Sequence, residues 1–182
     1  RQRQMCIRDR TYYDYPNQRI NLLRKYGNHP FPTEQKLEAE ACDYCYQGTI
    51  SDKKIESSQQ EDKMNNAPEQ YVVKRCSDTK YNGGWHTDLT ADGLNALRWK
   101  ELPFRSGESI IRFRYASEGE ITVCCQIGNE MTQKVTLPAT GNAWEETEVA
   151  VYTRDTRGYA DFNLAVIEGA ISLNYVEIIT NK

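Results

Sequence analysis

The chain has 182 residues, 38% hydrophobic and 27% charged, with a formal net charge of −3. That length fits one domain with tails, and the mixed, slightly acidic charge excludes the basic face a nucleic-acid partner requires. No run approaches the roughly eighteen apolar residues of a membrane-spanning helix, so neither nucleic acid nor a bilayer span is expected.

The opening RQRQMCIRDR has no periodicity and lacks the apolar run of a signal peptide. Residues 1–10 read as adapter-derived sequence on a chain truncated at its start. Residues 11–34, rich in Tyr, Pro, Asn and Arg, read as a connector from a missing upstream domain. Any short helix around Gln18 to Tyr26 is stopped by Gly27, Pro30 and Pro32. Residues 1–34 are thus a tail or linker, and the folded domain is expected over 35–180. From Gln35, QKLEAEAC alternates apolar and polar residues as a half-buried strand does. The stretch 47–70 contains no aromatic residue and only Ile50, Ile55 and Met64 as sizeable apolar groups, so a long exposed insertion is expected there.

From Tyr71 the strand signals come at short intervals: YVVKRC, NALRWKEL, ESIIRFRYA, EITVCCQI, QKVTL, EETEVAVYT, ADFNLAVIE and AISLNYVEII. Turn formers separate them, among them Asp92-Gly93, Gly128-Asn129, Gly141-Asn142 and Gly169. Counting the first strand, this is an all-β pattern of about nine strands, an antiparallel β-sandwich of the jelly-roll kind. Ile111, Phe113 and Tyr115 share one face of their strand while Arg112 and Arg114 share the other, the signature of a sheet with one wet side.

Outside the opening segment there are five cysteines. Cys42 and Cys45 have the spacing of a metal or redox pair, but Cys124 and Cys125 are neighbours on a strand and point to opposite faces, so structural thiols are favoured over a metal site. Only two histidines, His29 and His86, are present, and no hydrolase elbow, metalloprotease helix or phosphate loop occurs. No catalytic residues are assigned, and the scattered carboxylates read as surface acids.

Two constellations remain. Glu38 and Glu40, at i and i+2 of a strand, point the same way; a hard cation such as calcium relieves their repulsion, as does simple exposure on a charged edge strand. Trp85 and Trp144 lie beside glycines and turn residues, where an indole either stacks on the C–H face of a sugar ring or folds back as a cap. Trp99, inside a regular strand, reads as core packing.

The stretch from about Lys36 to Ile179, roughly four-fifths of the chain, resembles family 6 carbohydrate-binding modules, especially those that follow catalytic domains of glycoside hydrolase family 43. KLEAEA is similar to that family's E-A-E opening, RFRYAS with EITVCCQIG to its central strands, LPATGNAWEETEV to its P-x-T-G-G-W segment, and ADFNLAVIEGAISLNYVEI to its closing pair of strands. The resemblance implies a jelly roll with a structural calcium and a sugar cleft on the loops at one end. It places Glu38, Glu40 and Asn174 as calcium ligands, with Asn174 standing where the family has aspartate. It places Trp144 as the cleft tryptophan, Trp85 or else Tyr81 as the facing aromatic, and Ser172 where the family has a cleft asparagine.

The expectation is therefore a non-catalytic module of a secreted or cell-surface glycoside hydrolase, binding poly- or oligosaccharide of the xylan, arabinan or β-glucan type, with an upstream catalytic domain in the same chain. The alternative is a structural β-sandwich that packs on its catalytic partner and has lost its ligand.

Overall fold

The computed structural model describes residues 34–57, 72–77, 84–104, 107–153 and 159–180. The tail 1–33, most of the insertion beyond Ser57, and Tyr81 lie outside them. All described residues belong to one compact unit, Thr33–Lys182. Thirteen strands occur among them: β1 (Glu34–Glu38), β2 (Tyr44–Tyr46), β3 (Gly48–Ile50), β4 (Ile55–Ser57), β5 (Val73–Arg75), β6 (Trp85–Thr90), β7 (Ala96–Pro103), β8 (Gly107–Ala116), β9 (Ile121–Ile127), β10 (Gln133–Leu137), β11 (Glu145–Thr153), β12 (Tyr159–Glu168) and β13 (Ala170–Thr180).

One sheet, here sheet A, runs β11-β8-β13-β6-β5, with β1 also against β13. Strands β6 and β1 share an edge of β13: β6 takes Ala170 to Leu173 and β1 takes Tyr175 to Ile179. Sheet B runs β10-β9-β12-β7-β2, and β3-β4 is a separate hairpin. All pairings are antiparallel, as the alternating pattern requires.

The core lies between the two sheets. Ile111, Phe113 and Tyr115 from β8 meet Phe162, Leu164 and Val166 from β12, and Trp99 stacks on Phe162 with ring centroids 5.8 Å apart, so its reading as core holds. A second cluster of Tyr46, Ile55, Ala96, Cys124 and Ala165 lies apart from it. Alternation assigns these residues to the other side of sheet B, and Cys124 and Cys125 indeed fall in different clusters. All five described cysteines are buried and free. Burial pushes the thiols of Cys124 and Cys125 up, which keeps them protonated and inert.

Hairpin β3–β4 corrects the reading of 47–70 as one exposed loop. Ile55 is buried against sheet B, its N–H donates to Gln126 Oε1 at 3.0 Å, and the Asn95 amide both accepts from and donates to the Gly48 backbone. The hairpin covers the part of sheet B's outer face around Ala96, Cys124 and Ala165. A groove borders the outer face of sheet A at its Asp88–Ser172 end.

Candidate functional site

The rows of sheet A set out this outer face. Glu145, Tyr115, Leu173 and Thr87 stand level across β11, β8, β13 and β6. One row further, Ala116, Ser172 and Asp88 stand level, with Trp144 just before β11. Side chains inward of these rows enter the core, so Arg112, Arg114, Ser172, His86 and Asp88 face outward. A β-bulge between Leu173 and Tyr175 inserts Asn174 as an extra residue and keeps Val176 and Ile178 facing inward.

Asp88 gathers the polar groups of this face. Lys74 Nζ donates to its Oδ2 at 2.6 Å and Ser172 Oγ to its Oδ1 at 2.7 Å. His86 Nδ1 lies 3.2 Å from the same Oδ1 but out of line for a hydrogen bond. Burial tends to raise the Asp88 pKa, but the hydrogen bonds from Lys74 and Ser172 and the charges of His86 and Lys74 outweigh it, and the carboxyl sits below its usual range. Burial is also the largest influence on His86; helped by Lys74, it overrides Asp88 and holds the imidazole pKa below 6.5.

Trp144 leans across this face. Its ring lies 5.1 Å from that of His86, the Arg114 guanidinium sits 5.2 Å from its centroid, and its Nε1 donates to Ser77 Oγ at 3.2 Å. The indole is half-buried, with part of its surface given to internal contacts. Trp85 is 44% exposed, but it opens strand β6 rather than sitting in a loop. Alternation puts it on the side of β6 that carries Thr87 and Leu89, away from His86. The structure thus sets Trp144 against His86, the residue after Trp85, but does not set indole against indole.

A groove opens at the Ser172 end of this face, and its lining includes Asn142, two residues before Trp144, but not Trp144 itself. It has a volume of about 600 Å³ and is walled by the β8–β9 turn (Ser117, Glu118, Gly119, Glu120), Asn142, Gly169 and the row of Asp88 and Ser172. At Gly169 the turn has φ +86°, and a Cβ there would come within 3.1 Å of the Glu120 carbonyl oxygen, so glycine keeps the β12–β13 turn close to the β8–β9 turn. Of the sequence-assigned sugar-binding residues, Ser172 lines the groove, Trp144 and Trp85 are not among its lining residues, and Tyr81 is outside the described residues. Sequence reasoning missed Asp88, Ser117, Glu118, Glu120 and Asn142. They come from three distant turns and strand ends, and no local signal joins them.

The residues of the expected calcium set depart from the strand arrangement that suggested it. Strand β1 ends at Glu38 and a 3-10 helix, Ala39–Ala41, follows, so Glu40 is not at a strand's i+2 position and the same-side argument fails. Glu38 lies 4.0 Å from Lys36 Nζ. Asn174 Oδ1 accepts from Arg114 at 2.6 Å, and its Nδ2 donates to the Trp85 carbonyl at 2.5 Å. A guanidinium on the would-be ligand oxygen repels a cation. Among the described residues no group of three or more His, Cys, Asp or Glu side chains is arranged to hold a metal ion.

The profile of a family described as carbohydrate binding module (family 35) matches residues 71–178, more than half of the chain. The chain belongs to carbohydrate-binding module family 35. The family named is thus 35 rather than the family 6 of the sequence resemblance, and solved structures of both families share the module's fold. The C-terminal family 6 module of LamC, a marine laminarinase from Zobellia galactanivorans, aligns over 81% of this chain and 99% of its own, at 19% identity and a TM-score of 0.56. A family 6 module of Cellvibrio mixtus lichenase 5A, solved with cellotriose, aligns over 81% and 98%, at 19% identity and a TM-score of 0.55. The family 35 module of Cellvibrio japonicus Abf62 aligns over 82% and 94%, at 14% identity and a TM-score of 0.54. No protein of curated function matches the chain. A second profile, a domain of unknown function (DUF5010), matches residues 4–44, starting inside the segment read as adapter-derived. Carbohydrate binding, the role the sequence resemblance implied, is the role of the family to which the module belongs.

Proposed function

We propose that the module holds polysaccharide in the groove beside Ser172 and Trp144 and tethers a secreted carbohydrate-active enzyme to it. The observation that carries this reading is the convergence, in one groove, of hydroxyl, amide and carboxylate groups from separate strands and turns. The free edge of Trp144 supports a sugar ring, while Ser172, whose proton is given to Asp88, accepts from a sugar hydroxyl. The enzyme origins of two of the similar structures, a laminarinase and a lichenase, support a catalytic partner in the same polypeptide. So few contacts give an affinity on the order of micromolar to millimolar. Tethering then acts by raising local enzyme concentration at the substrate.

Affinity electrophoresis through gels cast with xylan, arabinan or β-glucan tests this. Wild-type protein is retarded by at least one polymer, Ser172→Ala less so, and Trp144→Ala least. Unretarded migration of wild type in every gel overturns it. A second reading, a structural module resting on its neighbour, is favoured by the β5–β6 edge, where Val73 and Trp85 share one side and are 37% and 44% exposed. In that reading Trp85→Ser and Val73→Ser improve solubility of the isolated module and leave retardation at zero, as in wild type.

A further inference from the structure

We propose that the groove selects a positively charged glycan, a β-linked polymer of amino sugars, over neutral and uronic-acid polymers; the proposal rests on the groove being the sugar site. Among the described residues its ionisable lining groups are Asp88, Glu118 and Glu120, with no Lys, Arg or His. Lys74 neutralises Asp88 from 2.6 Å, but neither Glu118 nor Glu120 makes an ion pair with a described residue. Both stand exposed on the β8–β9 turn, facing the space a ligand would enter.

A second observation points to a missing ligand group. Ser117, at the root of this turn, is only 2% exposed and lines the groove, and its hydroxyl has no hydrogen-bond partner. Its backbone is fully engaged: the N–H donates to Thr140 Oγ1 at 2.9 Å, and the carbonyl accepts from Asn142 N–H, also at 2.9 Å. The hydroxyl alone is left over. A buried polar group without a partner is costly, and a ligand that supplies the partner removes the cost.

The donor–acceptor balance names the ligand's chemistry. An ammonium offers three donors and no acceptor, and the groove is rich in acceptors: two carboxylates, the Asn142 amide oxygen, and the Ser172 oxygen after its proton has gone to Asp88. A uronate would meet like charge on Glu118 and Glu120. A neutral glucan would fill the same space without the attraction.

Calorimetric titration of the chain with short β-1,4 oligomers of glucosamine, N-acetylglucosamine and glucose, and with oligogalacturonate, tests the assignment at low salt and mildly acidic pH. The glucosamine oligomer binds roughly tenfold tighter than the glucose oligomer, and the advantage shrinks as salt is added. Glu118→Gln with Glu120→Gln, at exposed turn positions, removes the advantage without moving the melting temperature. Ser117→Ala raises the melting temperature and weakens every oligomer. Equal binding of glucosamine and glucose oligomers, or preference for oligogalacturonate, overturns the charge selection and leaves the groove as a sugar site. Binding of no oligomer overturns both. A stabilised Ser117→Ala that binds as wild type also overturns the assignment, because the leftover hydroxyl then serves no ligand.

Discussion

At one end of the outer face of sheet A, Arg112 stands between Glu148 and Glu177 and donates to them through Nε and both terminal nitrogens, at 2.5 to 2.9 Å. At the other end, Glu118 and Glu120 border a groove above the buried Ser117 hydroxyl, with no such cation among its described lining residues. The two ends draw on similar residue types, yet the first is saturated and the second is not. A ligand at the Arg112 end has to break existing bonds before it gains any. In the groove, Glu118 and Glu120 make no ion pair with a described residue, so a ligand there has none to break.

The largest expected effect lies between the two ends, at Arg114. It is 1% exposed, holds Asn174 at 2.6 Å, and lies against the Trp144 face. Replacing it removes a charge-assisted hydrogen bond, leaves the Asn174 oxygen short of a donor, and takes packing away from beneath the indole. Arg114→Ala is expected to cost about 3 kcal/mol in denaturant unfolding, from summing those losses, and to raise the exposure of Trp144 seen by acrylamide quenching. A loss as small as that of an exposed arginine would show that the indole needs no support from below.

A smaller effect sharpens the contrast through pH. Burial keeps His86 neutral against the pull of Asp88, with its folded pKa below 6.5. The unfolded chain therefore takes up the proton more readily, so the stability tied to neutral His86 is complete above 6.5 and is lost as pH falls through the lower, native value. Asp88, also lowered, loses its contribution only in the more acidic carboxylate range, from its ordinary 3.8 downward. Urea midpoints between about pH 8 and pH 5 should decline in wild type and stay flatter in His86→Gln. An identical decline in both proteins would assign the acid sensitivity elsewhere.

The contrast between the two ends also marks what the amino-acid order reveals. The alternation of Ile111, Phe113 and Tyr115 with Arg112 and Arg114 is local, so the sandwich and the wet side of β8 are legible directly. All nine strand signals became strands. The four missed strands have specific causes. In β2 to β4, runs of three residues are too short to show a period, and Ile55 is a single apolar residue among polar ones that finds its partners on sheet B. In β6 the glycines before Trp85 suggested a loop, and the alternation of Thr87 and Leu89 inward with His86 and Asp88 outward was passed over. Ser172 and Trp144 were legible through a motif. Ser117 and Glu120 were not, because they join Asp88 only through the register of β13 with β6 and β8.

The smallest expected effect is at the saturated end itself. Arg112 is about one-third exposed and Glu148 one-half, so water screens the attraction. Exposed ion pairs are worth roughly 0.2–1 kcal/mol, and a bracket of two carboxylates falls at the upper end of that range. Arg112→Ala should therefore lower stability by under about 1 kcal/mol, with the loss shrinking in high salt, and should leave polysaccharide retardation unchanged because the groove is walled by other residues. Weakened retardation in Arg112→Ala would mean that a glycan runs down the whole face past Tyr175 and Glu146, and the division into a closed end and an open end would fail.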